Sequence, residues 1–212
     1  SFYGALWSND DPPYAIYRDR AVAVPAPANQ NVLTRDFTGA ALDFIGRHQH
    51  EPFFLYLAYN APHTPIQPPD AWVAQVRQRQ PGMDEKRLRL VAFIEHLDAG
   101  IGRVLATLRD TGLDAKTLVV FTSDNGGQIA VGANNGPWRS GKQHVYEGGI
   151  RVPFAVRWPD RIQAGSTCEW AALTMDLYPT LLEAAGAPIP SDIDGISLMA
   201  AWLDGDRPAP TR

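Results

Sequence analysis

One cysteine, Cys168, in a chain of 212 residues leaves no internal disulfide and no cysteine-based metal cluster to consider. Long apolar runs are missing too: none approaches the roughly 20 residues that a membrane-spanning helix needs, so no membrane span is expected. Basic charge is not in excess, with 19 Lys and Arg against 23 Asp and Glu and a net charge of −4. No cluster of cations offers itself to a phosphate backbone, and no nucleic acid is expected as a partner. Neither an initiator methionine nor a signal-peptide pattern precedes Ser1-Phe2-Tyr3-Gly4. The far end, Asp206-Arg207-Pro208-Ala209-Pro210-Thr211-Arg212, is proline-rich as a linker would be. Both ends lead us to expect a fragment. What is present is ordinary globular composition, 45% hydrophobic and 20% charged, enough for one sizeable α/β domain.

Helical and strand periodicities alternate along the chain. Residues 1–30, broken by Pro12-Pro13 and Pro25-Ala26-Pro27, read as loop or short strand. From Thr34, a candidate cap, Phe37, Ala41, Phe44 and Ile45 share one helical face. Residues 53–59, all apolar, read as a strand covered on both sides, which then enters the proline-stiffened Asn60-Ala61-Pro62-His63-Thr64-Pro65. A long helix is expected over about 84–111, with Leu90, Ile94, Leu97, Ile101, Val104 and Leu108 at three- and four-residue spacing. Strands are expected at 117–122 and 154–158, and a helix at 176–186 that ends on Gly186. The implied fold is α/β, a mixed and largely parallel central sheet flanked by helices. Residues 1–190 are expected to be part of one domain and 191–212 a linker.

Two segments carry chemistry. Leu118-Val119-Val120-Phe121-Thr122-Ser123 runs into Asp124-Asn125-Gly126-Gly127, which places a carboxylate and an amide oxygen where a buried strand leaves its sheet. Both are hard donors suited to a divalent cation. Ser140-Gly141-Lys142-Gln143-His144 follows, a lysine in a glycine-framed loop that suits an anionic substrate. In open α/β sheets ligands gather at the carboxyl ends of strands, where His63 and Asp124-Asn125 are both expected. Taken singly, an Asn-Gly turn, a loop histidine and a surface lysine are commonplace, and the ordered combination is what gives them weight.

That combination resembles the type I sulfatase family of the alkaline-phosphatase-like superfamily. The matching text is Pro52 to Pro65, Ser123-Asp124-Asn125-Gly126, Gly141-Lys142, Glu147-Gly148-Gly149-Ile150-Arg151-Val152-Pro153, Asp176 to Leu182, and Asp194-Gly195-Ile196-Ser197-Leu198. The resemblance implies a sulfuric ester hydrolase acting on a sulfated small molecule or carbohydrate. It also implies a calcium site, with magnesium as the alternative, and a formylglycine nucleophile. Carried over residue by residue, Asp124 and Asn125 match metal ligands, and His63 and Lys142 match groups that contact the sulfate and the leaving oxygen. His144 is a further candidate for substrate binding. A periplasmic, secreted or lysosome-like location is what the resemblance implies.

The departures from the family pattern are definite. No Cys/Ser-x-Pro-x-Arg occurs, since Cys168 is followed by Glu169-Trp170-Ala171. Asp10-Asp11 does not replace the family's first metal pair, because polar Ser8-Asn9 precedes it and Pro12-Pro13 follows. The chain is therefore expected to be the second half of a sulfatase catalytic domain, inactive alone. Two other readings stand beside it: a phosphonate monoester hydrolase or phosphodiesterase of the same superfamily, and a non-catalytic, glycan-binding remnant.

Overall fold

A computed structural model describes residues 3–4 and 15–204. The expectations placed on Asp10-Asp11, Pro12-Pro13 and residues 206–212 lie outside the described residues. The chain forms two compact units, Ser1–Leu113 with Gly126–Ile150, and Asp114–Asn125 with Arg151–Arg212.

The first unit opens with a small antiparallel sheet of β1 (Tyr3–Gly4), β2 (Ile16–Arg18) and β3 (Ala21–Val24). Ile16, Leu33 and Phe37 form a buried cluster beneath it, and Leu57 and Tyr59 pack against that cluster. Helix α1 spans Leu33–Arg47. Thr34 does not cap it: the chain enters through a single 3-10 turn at Gln30–Val32, which places Thr34 inside the helix and buried. Its carbonyl accepts from Thr38 Oγ1 at 2.7 Å.

Helix α2, Asp70–Arg79, has no counterpart in the sequence reading, since only Val73 and Val76 among its residues are buried. Helix α3, Glu85–Asp110, starts at Asp84, whose side chain accepts from the Arg87 backbone N–H at 3.1 Å. Val73, Val76, Leu88 and Ala92 make the α2–α3 core. The buried face of α3 includes Leu90 and Leu108 of the expected stripe and widens to Leu88, Ala92, Phe93 and Gly100, whereas Ile94 is left 42% exposed. Gly100 is the crossing point with α1. A Cβ there would lie 2.7 Å from Thr38 Oγ1, so the helices approach closely only because none exists.

Residues 53–59 depart most from expectation. They form no strand and no backbone hydrogen bond with another described residue. Their exposure alternates as in an extended segment, with Phe54 71% and Tyr56 81% exposed while Phe53, Leu55, Leu57 and Tyr59 are half-buried. The period-2 geometry is present, and cover on the second face is not.

In the second unit, β4 (Val119–Thr122) pairs antiparallel with β5 (Phe154–Arg157), Val120 opposite Val156. Both described sheets are therefore antiparallel, and the parallel pairing expected from the βα alternation is not formed among the described residues. The mixed helix-and-strand α/β class holds. Arg157 makes a bidentate pair with Asp114, at 2.8 and 2.7 Å. Helix α4 is the single turn Glu147–Ile150 of the first unit. Helix α5, Leu177–Ala184, takes Pro179 in its first turn and ends at Gly186 with φ +68°, as expected.

Within the stretch expected to be a linker, residues 191–204 are described and include ordered structure. Helix α6 spans Met199–Leu203, and Leu198, Met199 and Ala201 are buried. Two side chains from around α5 hold this stretch. Asp176, fully buried, accepts from Leu173 N–H at 2.7 Å and Ile196 N–H at 3.0 Å, and Thr180 Oγ1 accepts from Leu198 N–H at 2.8 Å.

Candidate active site

Of the five residues singled out in sequence, the first unit brings His63 and Lys142 into direct contact. Lys142 Nζ lies 2.9 Å from His63 Nε2 across 79 positions of sequence. His63 Nδ1 lies 2.9 Å from the carbonyl oxygen of Thr64. A carbonyl only accepts, so Nδ1 carries the hydrogen and Nε2 turns its lone pair to the Lys142 ammonium. Both side chains are half-buried.

The loop that carries Lys142 is held by residues the sequence reading passed over as turn material. Asn135 binds three backbone groups at once. Its Oδ1 accepts from Gly127 N–H at 2.8 Å, and its Nδ2 donates to Gly127 and Ser140 carbonyls, each at 3.0 Å. Lys142 N–H donates to the same Gly127 carbonyl at 3.2 Å. Glycines are required on both sides of this seam. A Cβ on Gly141 would overlap the Gly127 carbonyl oxygen, and one on Gly148 would overlap that of Ser140. Ser140 and Gln143, flanking Gly141-Lys142, adopt left-handed φ of 68° and 76°, a conformation that ordinary residues hold only where their surroundings enforce it. The one sequence signal for this seam was the density of Asn and Gly, which marks turns without saying what they bind.

His144 is exposed, and its Nδ1 lies 3.3 Å from the Lys142 carbonyl oxygen, a local contact. Trp138, in the same loop, is 41% exposed instead of packed in a core.

Asp124 and Asn125 stand in the second unit, directly after β4. Asp124 is exposed and Asn125 half-buried, and Ser123 Oγ donates to the Asn125 carbonyl at 3.1 Å. Their oxygens fit a hard divalent cation, but they are part of a ligand set only. Among the described residues no group of three or more His, Cys, Asp or Glu is arranged to hold a metal. Cys168 is exposed.

Comparison with known proteins agrees with the sequence resemblance. A family model described as Sulfatase matches residues 2–187. N-acetylgalactosamine-6-sulfatase of Sus scrofa is 35% identical over 96% of this chain and 40% of its own length. Steryl-sulfatase of Mus musculus is 36% identical over 89% of this chain and 30% of its own. Among solved structures, Ps i-CgsB in complex with k-i-k-neocarrahexaose superposes with a TM-score of 0.80 at 32% identity, over 89% of this chain and 41% of that one. The chain thus spans less than half the length of these relatives.

Proposed function

The chain belongs to the sulfatase family, and from that membership we propose that the protein it is part of hydrolyses sulfate esters of a carbohydrate, with His63 and Lys142 acting on the sulfate. The observation that carries this reading is the 2.9 Å contact between Lys142 Nζ and His63 Nε2. Lys142 Nζ, with two ammonium hydrogens beyond the one directed at His63 Nε2, can address a tetrahedral anion while the imidazole holds it in place. Lys142 offsets charge accumulating on the sulfate and its leaving oxygen. The hydrogen shared between Nζ and Nε2 stands ready for the departing alkoxide, and the Thr64 carbonyl keeps His63 in the tautomer that receives it.

The Asp124 carboxylate and Asn125 amide oxygen are the groups of this chain suited to hold a divalent cation, which when bound would supply Lewis-acid polarisation of an ester oxygen. Attack on sulfur is assigned to no residue here, because the chain contains no Cys/Ser-x-Pro-x-Arg. A carbohydrate substrate is favoured by exposed Trp138, placed four residues before Lys142 and shaped to stack on a sugar ring. The N-acetylgalactosamine named in one relative and the neocarrahexaose bound by another point the same way.

The test is turnover by the complete protein on a sulfated monosaccharide and on the matching phosphate ester. Sulfate should be strongly preferred, and Lys142→Ala should lower kcat by about 10²–10³ with the fold retained. Preference for phosphate would move the protein to the phosphoryl-transfer branch of the superfamily. Unchanged kcat would remove Lys142 from the site. Robust turnover by the 212 residues alone would overturn the view that they lack the nucleophile.

A further inference from the structure

A second cluster of cations lies in the first unit, and its lining shares no residue with the His63–Lys142 pair. Helices α1, α2 and α3 line a half-open cleft of about 210 Å³. Helix α3 contributes His96, Ala99, Gly100 and Arg103, a single stripe at three- and four-residue spacing, and α1 contributes Thr34, Arg35 and Thr38. Trp72 of α2 closes one side, its ring 5.6 Å from that of His96 and tilted by 37°.

Three features of this cleft ask for an anion. Its lining includes two guanidinium groups and an imidazole but no carboxylate. Asp36 engages Arg35 through Nε and Nη2, at 2.8 Å each, which leaves the Nη1 donors of Arg35 unengaged. Most telling, His96 Nδ1 is the one buried side-chain nitrogen or oxygen among the described residues without a hydrogen-bond partner. A polar atom buried without a partner costs about 1–3 kcal/mol, so such atoms mark places where something else binds. A neighbouring cavity of about 400 Å³ shares Arg35 and Arg103 and is lined also by Arg18, Asp36 and Asp43, so a group seated between the two arginines has room to extend outward through its neutral, hydroxyl-bearing part.

We propose that the α1–α2–α3 cleft is an oxyanion-binding site that takes a sulfo group between Arg35, Arg103 and His96 Nδ1. The occupant is free sulfate or the sulfate ester of a sugar whose ring meets Trp72. The inner volume lies below the roughly 300–1,000 Å³ of pockets that bury whole drug-sized ligands, so it seats the charged group alone. The site stands on the cavity's own geometry, and only the choice of sulfate among oxyanions rests on the sulfatase reading.

The experiment titrates the chain with sodium sulfate, against sodium chloride at matched ionic strength, and follows the His96 imidazole nitrogens by NMR. A saturable shift with sulfate and none with chloride is expected. Arg103→Ala should weaken binding at least about tenfold, in line with the loss of a charge-assisted hydrogen bond. Arg103 is exposed, so the variant should fold, and Arg103→Gln serves as the second variant at the same position. N-acetylgalactosamine 6-sulfate, run beside the unsulfated sugar, separates the two sources. Equal affinity for ester and free ion assigns the site to the ion, whereas tighter ester binding with a change in Trp72 fluorescence assigns it to the saccharide. Lys142→Ala should leave the titration unchanged, which keeps this inference separable from the active-site reading. A response to sulfate no different from chloride overturns the proposal, as does saturable binding that survives both Arg103 variants.

Discussion

His96 couples the cleft to pH. Burial, and secondarily the Arg35 charge, lower its pKa from the ordinary 6.5. The folded state therefore binds a proton less readily than the unfolded one. Stability is full above about pH 6.5 and falls as the solution is acidified towards the lower folded value. Urea midpoints measured at pH 8 and pH 5 should show this loss, and His96→Gln should shrink the difference between them. Asp176 tests a different kind of burial. Asp176→Ala strands the N–H groups of Leu173 and Ile196, at about 1–3 kcal/mol each, whereas Asp176→Asn should recover part of the loss. Chemical denaturation of the three proteins measures both effects. His63 and Lys142 were legible in sequence because each lies in a segment whose order along the chain is itself informative. His96 was not: one histidine of five, it is distinguished only by the absence of a partner for Nδ1, which spacing does not reveal.

The loop from Gly126 to Gly149 works as one piece because Asn135 ties Gly127 to Ser140 and the glycines admit the close backbone contacts. Asn135→Ala removes all three side-chain bonds and leaves Gly127 N–H without that acceptor. Lys142 should then lose its fixed approach to His63. Hydrogen exchange at Gly127 and Lys142 should rise in this variant while α3 amides stay protected; unchanged exchange would deny Asn135 the holding role. Among the other elements, α1 and α3 were readable from their helical period, although Thr34 proved not to be the start of α1, and α5 from its stop at Gly186. Helix α2 escaped because its apolar positions are too few to make a stripe. Residues 53–59 were read correctly as extended and wrongly as covered. An apolar run records what a segment needs for cover, and the neighbours that would supply it must be found elsewhere.

That difference extends over the molecule. In the first unit, Phe54, Tyr56, Val145 and Ile150 are each at least 60% exposed. Large apolar side chains exposed to this degree favour cover by other protein. The chain studied alone should therefore bind a hydrophobic dye such as ANS and scatter light increasingly with concentration. Phe54→Ser with Tyr56→Ser should reduce both signals without lowering the urea midpoint, because neither side chain belongs to a buried core cluster. Equal dye binding in the double variant would place the sticky surface elsewhere.

The Asn135 staple also has a lifetime. Asn135 precedes Gly136, the sequence context in which an asparagine side chain is most readily lost to its acid through attack by the following backbone nitrogen. In the folded chain both participants are engaged: Oδ1 and Nδ2 hold Gly127 and Ser140, and Gly136 N–H donates to Asn134 Oδ1 at 2.8 Å. Unfolding releases them together. Conversion to aspartate would then set a carboxylate against two carbonyl oxygens, so heat or denaturant would leave a chemical scar that cooling does not heal. Each excursion from the native state would shorten the service life of the loop that carries Lys142.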